Sequence, residues 1–236
     1  MSRTERSELL LGKEATVKLQ DSYVAVFGIG GVGSFAAEAL ARAGVGRILL
    51  VDNDVVSESN INRQLIALTN TVGIPKTEVM ARRIAAINPA AQVEQRQCFF
   101  SADNADSFPF EELDYIVDAI DSVSSKVELI CRAKAAETPI ISSMGTGNKL
   151  DPTKFVVTDL YKTDTCPLAR VLRQQLRKRG VDSLQVVYST EPPMTPLETI
   201  SDGGRRQVPG SLPFVPPVAG MIAAGVVIRS LCGVEL

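Results

Sequence analysis

The sequence predicts an α/β fold: a mixed sheet with helices on both faces, an N-terminal helix before it and an elaborated second half after it. Three observations carry this. Short apolar, β-branched runs alternate with segments of helical spacing through residues 23–143, the pattern of strands joined by crossover helices. The first run, YVAVF, passes directly into a glycine cluster and then an alanine-rich stretch. The chain has 236 residues, 45% hydrophobic and 22% charged, enough apolar material to cover a sheet on both faces.

Each element has its own justification. Residues 5–20 read as one helix, with Leu9, Leu10, Leu11, Val17 and Leu19 at its apolar positions. YVAVFGIGG has the profile of a buried parallel strand ending in glycines. A helix over 35–43 and a strand at RILLVD follow. KTEVMARRIAAIN has helical spacing at Val79, Ile84 and Ile87 and stops before Pro89. Strands are expected over 93–98, at DYIVDAID and at TPIISS, with a helix over about 124–137 between the last two. KFVVTDL is a further strand with no crossover helix before it, so antiparallel pairing is expected. In CPLARVLRQQLRKRG, Leu168, Val171, Leu172 and Leu176 form one stripe, with Arg170, Arg173 and Arg177 lying away from it. Residues 189–217 read as a long loop, and VAGMIAAGVVIRSL as the last helix. With no repeat or low-complexity linker, one domain over 1–236 is expected, a nucleotide-binding half over 1–145 and an elaborated half over 146–236.

Composition excludes several kinds of chemistry. There is no histidine, so neither a Ser-His-Asp triad nor a His-ligated metal is available. The four cysteines, Cys98, Cys131, Cys166 and Cys232, contain no CxxC pair, which argues against a structural zinc and a disulfide framework. The N-terminus lacks a secretory apolar region, and the apolar stretch 214–228 is interrupted by Pro216, Pro217, Gly220 and Gly225. A cytoplasmic location is expected. At a formal net charge of −2, a nucleic-acid partner would need a local basic patch.

The candidate site begins at Gly28, Gly30, Gly31 and Gly33, between a strand and a helix. There Gly28 permits a tight turn, Gly30 lets the backbone approach a phosphate, and Gly33 lets helix and strand pack closely. The following helix N-terminus offers free N–H groups to an anion. Asp52 ends the next strand, where a carboxylate reaches ribose hydroxyls. Up to this point an NAD-dependent oxidoreductase fits equally well. Asp54, the run Ser59–Asn60–Ile61–Asn62–Arg63–Gln64, and Lys76 then separate the readings, because Arg63 and Lys76 suit the charge of a triphosphate. At the end of DYIV, Asp121 is the candidate Mg²⁺ ligand, whereas Asp118 is equally readable as a turn cap.

The set GxGGxG, LVDND, SNINRQ, GxPK and DAIDS resembles the ubiquitin-activating-type superfamily, whose members attack ATP with a carboxylate. Within it, GIGGVGSFAAEALARAGVGRILLVD, NINRQ, VGIPKTEVM, INP and ISSMGTGNKLDPTKF most closely resemble the tRNA threonylcarbamoyladenosine dehydratase family, over residues 6–231. The resemblance implies ATP-dependent cyclisation of N6-threonylcarbamoyladenosine in the tRNA anticodon loop, through an acyl-adenylate by analogy with the superfamily. It further implies that Gly30, Asn60, Arg63 and Lys76 contact phosphate, Asp52 the ribose and Asp121 Mg²⁺. Arg6 matches an arginine that acts on the partner's triphosphate in a homodimer. A carboxylate nucleophile is ionised at neutral pH, so a missing imidazole base is no obstacle. The alternative within the superfamily is an enzyme that adenylates the C-terminus of a ubiquitin-like sulfur carrier. The chain lacks that group's paired zinc cysteines, and FVPPVAG lacks the cysteine with which some dehydratases accept sulfur. For the tRNA, Arg173, Arg177 and Arg179 are expected to point outward from a basic helix, with Arg205 and Arg206 in reserve.

Overall fold

The computed structural model describes residues 3–198 and 208–234. Seven strands form one sheet in the order β3-β2-β1-β4-β5-β7-β6. They are β1 (Tyr23–Phe27), β2 (Arg47–Val51), β3 (Gln92–Arg96), β4 (Tyr115–Asp118), β5 (Ile140–Ser143), β6 (Phe155–Asp159) and β7 (Gln185–Ser189). All neighbours pair parallel except β6, which runs antiparallel to β7, as the missing crossover helix implied. The strand β7 itself went unread in the sequence, because it lies between a basic helix and the Pro-rich stretch taken as loop.

The helices are α1 (Glu5–Leu11), α2 (Lys13–Asp21), α3 (Gly33–Ala43), α4 (Lys76–Ile87), α5 (Val123–Ala135), α6 (Pro167–Arg177) and α7 (Pro216–Cys232). The single N-terminal helix expected over 5–20 is two. Gly12 adopts φ +84° and ψ 161°, which ends α1 and starts α2 in a new direction. Strand alternation divides the core in two. Val24 and Val26 of β1 face a cluster with Ala37 and Leu40 of α3, Met80 of α4 and Ala223 of α7. Tyr23, Ala25 and Phe27 face another with Leu129 of α5 and Leu172 of α6. Both faces are therefore covered by helices, and the parallel strands present their C-terminal ends along one edge.

That edge is where the chain order reverses: β1 has β2 on one side and β4 on the other. Crossovers from β1 and β4 leave in opposite directions there, which opens a crevice between their loops.

Candidate active site

The loop after β1 enters the crevice under tight steric constraint. Gly28 has φ +86°, and a Cβ there would lie 2.6 Å from the Ala119 carbonyl oxygen. A Cβ on Gly33 would lie 1.7 Å from the Gly28 carbonyl, so α3 starts closer to the strand than a side chain allows. Gly30 differs: a Cβ would meet only Gln64 Nε2, at 3.7 Å. The chain's own packing does not demand glycine at 30, and the space beside it opens into the crevice. Gly31 lies beside Arg63 and Pro216, placing the start of α7 against the same loop.

Asp52 closes the neighbouring side. One carboxylate oxygen accepts the Ile29 N–H at 2.6 Å and the other the Asp54 N–H at 2.8 Å. Burial raises its pKa, while the Lys76 charge and the two N–H groups oppose the rise. Lys76 is not an ordinary solvated lysine at a helix start. It is buried, and its Nζ donates to Asp54 at 2.7 Å. Asp54, about half exposed, holds this cation near Asp52.

The segment between β2 and α4 brings the remaining predicted residues to the same edge. Asn60 Oδ1 accepts the Ser57 N–H and closes a capping box, so its amide nitrogen is the free end. Arg63 donates to the Ser59 carbonyl and to Asn62 Oδ1, each at 2.9 Å, and partial burial draws its pKa down. Asn62 in turn donates to the Ser211 carbonyl just before α7. Gln64 is buried beside Gly30, and its Oε1 has no hydrogen-bond partner among the described residues.

Past β4 the two aspartates diverge. Asp118 is fully buried, pairs with Lys126 at 2.8 Å, and accepts the Ser142 hydroxyl at 2.6 Å and the Ile120 N–H at 3.2 Å. It is both the turn cap anticipated and the anchor of a buried ion pair that was not. Lys126 sits three residues before Leu129 and four before Ile130 on the inward face of α5, and that helical spacing was the available signal. Asp121 is exposed and makes no hydrogen bond or ion pair among the described residues.

The far wall also went unread. Asn148, at φ +58°, exchanges hydrogen bonds with Gly210 and accepts the Met194 N–H. The Glu191 carboxylate accepts the N–H groups of Leu150 and Asp151, and buried Lys149 donates to the Glu191 carbonyl. The β5–β6 connection is thereby tied to two stretches of the β7–α7 connection. Cys166 is buried against Gly145, consistent with a packing role. Arg6 is exposed on α1, with no polar partner among the described residues. Two shallow depressions of about 340 and 420 Å³ lie by the C-terminal end of α5, away from this edge.

The arginines of α6 and just after it meet the expectation in part. Arg177 and Arg179 are exposed, but Arg179 turns back onto Gln175, and half-buried Arg173 donates to the carbonyl and hydroxyl of Thr163. Long guanidiniums beside uncapped carbonyls satisfy them before reaching solvent. Arg205 and Arg206 lie outside the described residues.

A family model described as the ThiF family matches residues 3–236. The chain is 46% identical over 236 residues to the tRNA threonylcarbamoyladenosine dehydratase of Bacillus subtilis, covering 96% of this chain and 93% of that protein. The Escherichia coli protein of the same name is 43% identical over 190 residues, 77% of this chain and 71% of its own length. The crystal structure of E. coli tRNA N6-threonylcarbamoyladenosine dehydratase, TcdA, in complex with ATP superposes with a TM-score of 0.89. It is 36% identical, and the match covers 98% of this chain and 94% of that one.

Proposed function

The chain belongs to the ThiF family, and from that premise we propose that it is an ATP-dependent dehydratase that cyclises N6-threonylcarbamoyladenosine in tRNA. One observation carries the reading. A glycine turn, the carboxylate of Asp52 and the shielded cation of Lys76 meet at one strand edge, in a chain 46% identical to a dehydratase of that name.

The residues divide the work by chemistry. Backbone N–H groups at Gly30 and the start of α3 receive phosphate, and Gly30 leaves room for its approach. Asp52 retains lone pairs for ribose hydroxyls after serving Ile29 and Asp54. Asn60, Arg63 and Gln64 present amide and guanidinium donors, and Lys76 exchanges Asp54 for a phosphate oxygen. The threonyl carboxylate is ionised at neutral pH, so its attack on the α-phosphorus of ATP, which expels pyrophosphate and forms the acyl-adenylate, requires charge neutralisation rather than a base. A carbamoyl nitrogen of the same substrate then bonds to the activated carboxyl carbon. The C–O bond to the phosphoryl group breaks with AMP as the leaving group, and the nitrogen's proton is released, so the nucleoside loses the elements of one water.

Mg²⁺ fits the donors present. Asp118 is committed to Lys126 and Ser142, whereas Asp121 is a free, exposed oxygen donor at the same edge. One carboxylate suits an ion that keeps most of its waters and shares phosphate charge. We read the chain as one domain, since the sheet runs continuously through both halves. We read it also as a homodimer, with Arg6 reaching the partner's triphosphate. Leu9 and Leu10 of α1, 82% and 88% exposed, are left for a second copy to cover. A cytoplasmic location belongs to the same reading. Among the described residues no helix is long and apolar enough to cross a membrane.

The test is direct. Purified chain, ATP and Mg²⁺ should convert threonylcarbamoyladenosine-bearing tRNA to a product lighter by one water, seen by nucleoside mass spectrometry. ATP consumption driven by a sulfur carrier, with no tRNA product, would favour the alternative.

A further inference from the structure

Every arginine in α3, α4 and α5 lies against a carboxylate: Arg42 and Arg83 on Glu38, Arg82 on Glu78, and Arg132 on Glu128 and Asp106. Between 160 and 180 the pattern inverts. Lys162, Arg170, Arg173, Arg177, Lys178 and Arg179 form no ion pair among the described residues, and α6 contains no acidic residue. The acidic neighbours are occupied elsewhere. Asp159 accepts the N–H groups of Tyr161 and Leu184, and Asp164 accepts the Thr165 N–H and the Tyr188 hydroxyl.

Helix-end electrostatics accounts for part of this. Arg177, Lys178 and Arg179 lie at the C-terminus of α6, where a cation complements the macrodipole. Arg170 lies in the first turn, where the macrodipole disfavours it, and Lys162 lies outside the helix in the turn before it. Neither is explained by α6 alone.

The surface is also held rigid. Arg173 ties the Thr163 turn to α6, and the Arg177 guanidinium lies 5.1 Å over the Tyr161 ring. This fixes Lys162 beside the stripe formed by Arg170, Arg173 and Arg177. The helix begins at the catalytic edge: the Thr165 hydroxyl donates to Ser189 at the end of β7, and Cys166 packs on Gly145 beyond β5. From Arg170 to Lys178 the free cations extend about 12 Å away from that edge, long enough to meet more than one phosphate.

We propose that Lys162, Arg170, Arg177 and Lys178 form a phosphate-binding surface that grips the RNA backbone of the substrate while the modified base enters the crevice. This rests on the reading of the substrate as a tRNA. A polyanion fits because the six cations between 160 and 180 form no ion pair among the described residues and outnumber the three carboxylates near them, Asp159, Asp164 and Asp182. Arg173 supports the turn and the exposed Arg179 is held by Gln175, so neither belongs to the grip.

The experiment measures binding of unmodified tRNA to the intact chain across a salt series. A variant carrying Lys162→Gln, Arg170→Gln and Lys178→Gln leaves Arg173 and Arg177 to hold the turn. Its affinity should fall about tenfold or more at moderate salt, and its log–log salt slope should drop by about two to three. ATP affinity should stay at the parent value. A control variant with Lys13→Gln, Lys18→Gln and Lys134→Gln, cations exposed elsewhere, should keep the parent slope. An unchanged slope in the first variant, or an equal drop in the control, overturns the surface while leaving the tRNA reading standing. A parent chain that binds no tRNA overturns both.

Discussion

Around β1, β2 and β4 most cations lie against carboxylates, Arg63 excepted, whereas beside β7 none does among the described residues. Lys76 is held by Asp54, Lys126 by Asp118, and the arginines of α3 to α5 by glutamates and aspartates. In α6 and its preceding turn, the contacts that cations make are with carbonyls, a hydroxyl, an amide and an aromatic ring. The difference separates two tasks. A small triphosphate in a crevice needs a few charges placed accurately, and internal carboxylates hold them in position until it binds. A long polyanion needs charges that are exposed and unpaired, since each phosphate contact gains from release of counterions.

The comparison is broken most severely at Lys126. Replacing it with Met leaves Asp118 charged and without its partner, at full burial, which should cost about 3–5 kcal/mol in a denaturant titration. Combining Lys126→Met with Asp118→Leu should recover much of that loss. A single variant within about 1 kcal/mol of the parent would mean the pair is not what holds this region.

At Lys76 the expected effect is on turnover. Lys76→Ala should lower kcat about 10²-fold, as for loss of one charge contact made in the transition state. Unchanged kinetics for Lys76→Gln would reduce the residue to a partner for Asp54. Removing the carboxylate instead, with Asp54→Asn, sharpens the point. It frees Lys76 without removing it, so ATP affinity should change far less than in Lys76→Ala, as measured by calorimetry.

Acid should weaken nucleotide binding through Asp52. Its pKa is raised by burial, and the ionised form is the one that accepts ribose hydroxyls. ATP affinity should therefore decline, as pH falls, at a pH above the ordinary aspartate range, and Asp52→Asn should abolish that dependence. For stability the sign is opposite: a raised folded pKa makes protonation favour the folded chain as pH falls through it. A parent and an Asn variant with the same pH profile would remove Asp52 from the site.

The smallest effect belongs to the paired surface. Glu78→Gln releases Arg82 on an exposed helix face and should cost no more than about 0.5 kcal/mol. It also adds one bare cation to the first half. Should tRNA affinity rise as much from that change as it falls in the α6 variant, total charge rather than the placement of α6 would govern binding.

Local chemistry made much of this legible without a structure. Apolar runs marked β1, β2, β4 and β5, the mostly polar β3 was legible as a strand over 93–98, and a missing crossover helix marked β6 as antiparallel. Gly28 and Gly33 could be read because strand, turn and helix adjoin in the chain, so the constraint on each is local. Residue type and spacing are also what put Asp52, Arg63 and Lys76 forward as candidates. What tertiary structure alone decided was pairing between distant segments. Asp118 meets Lys126 only because α5 folds back over β4, and Ser142 joins them only because β5 lies beside it. The same holds for the Asn148–Gly210 link, the break at Gly12 between two helices, and Arg173 of α6, which folds onto Thr163. Sequence determines which groups carry charge, and only packing determines which are already neutralised.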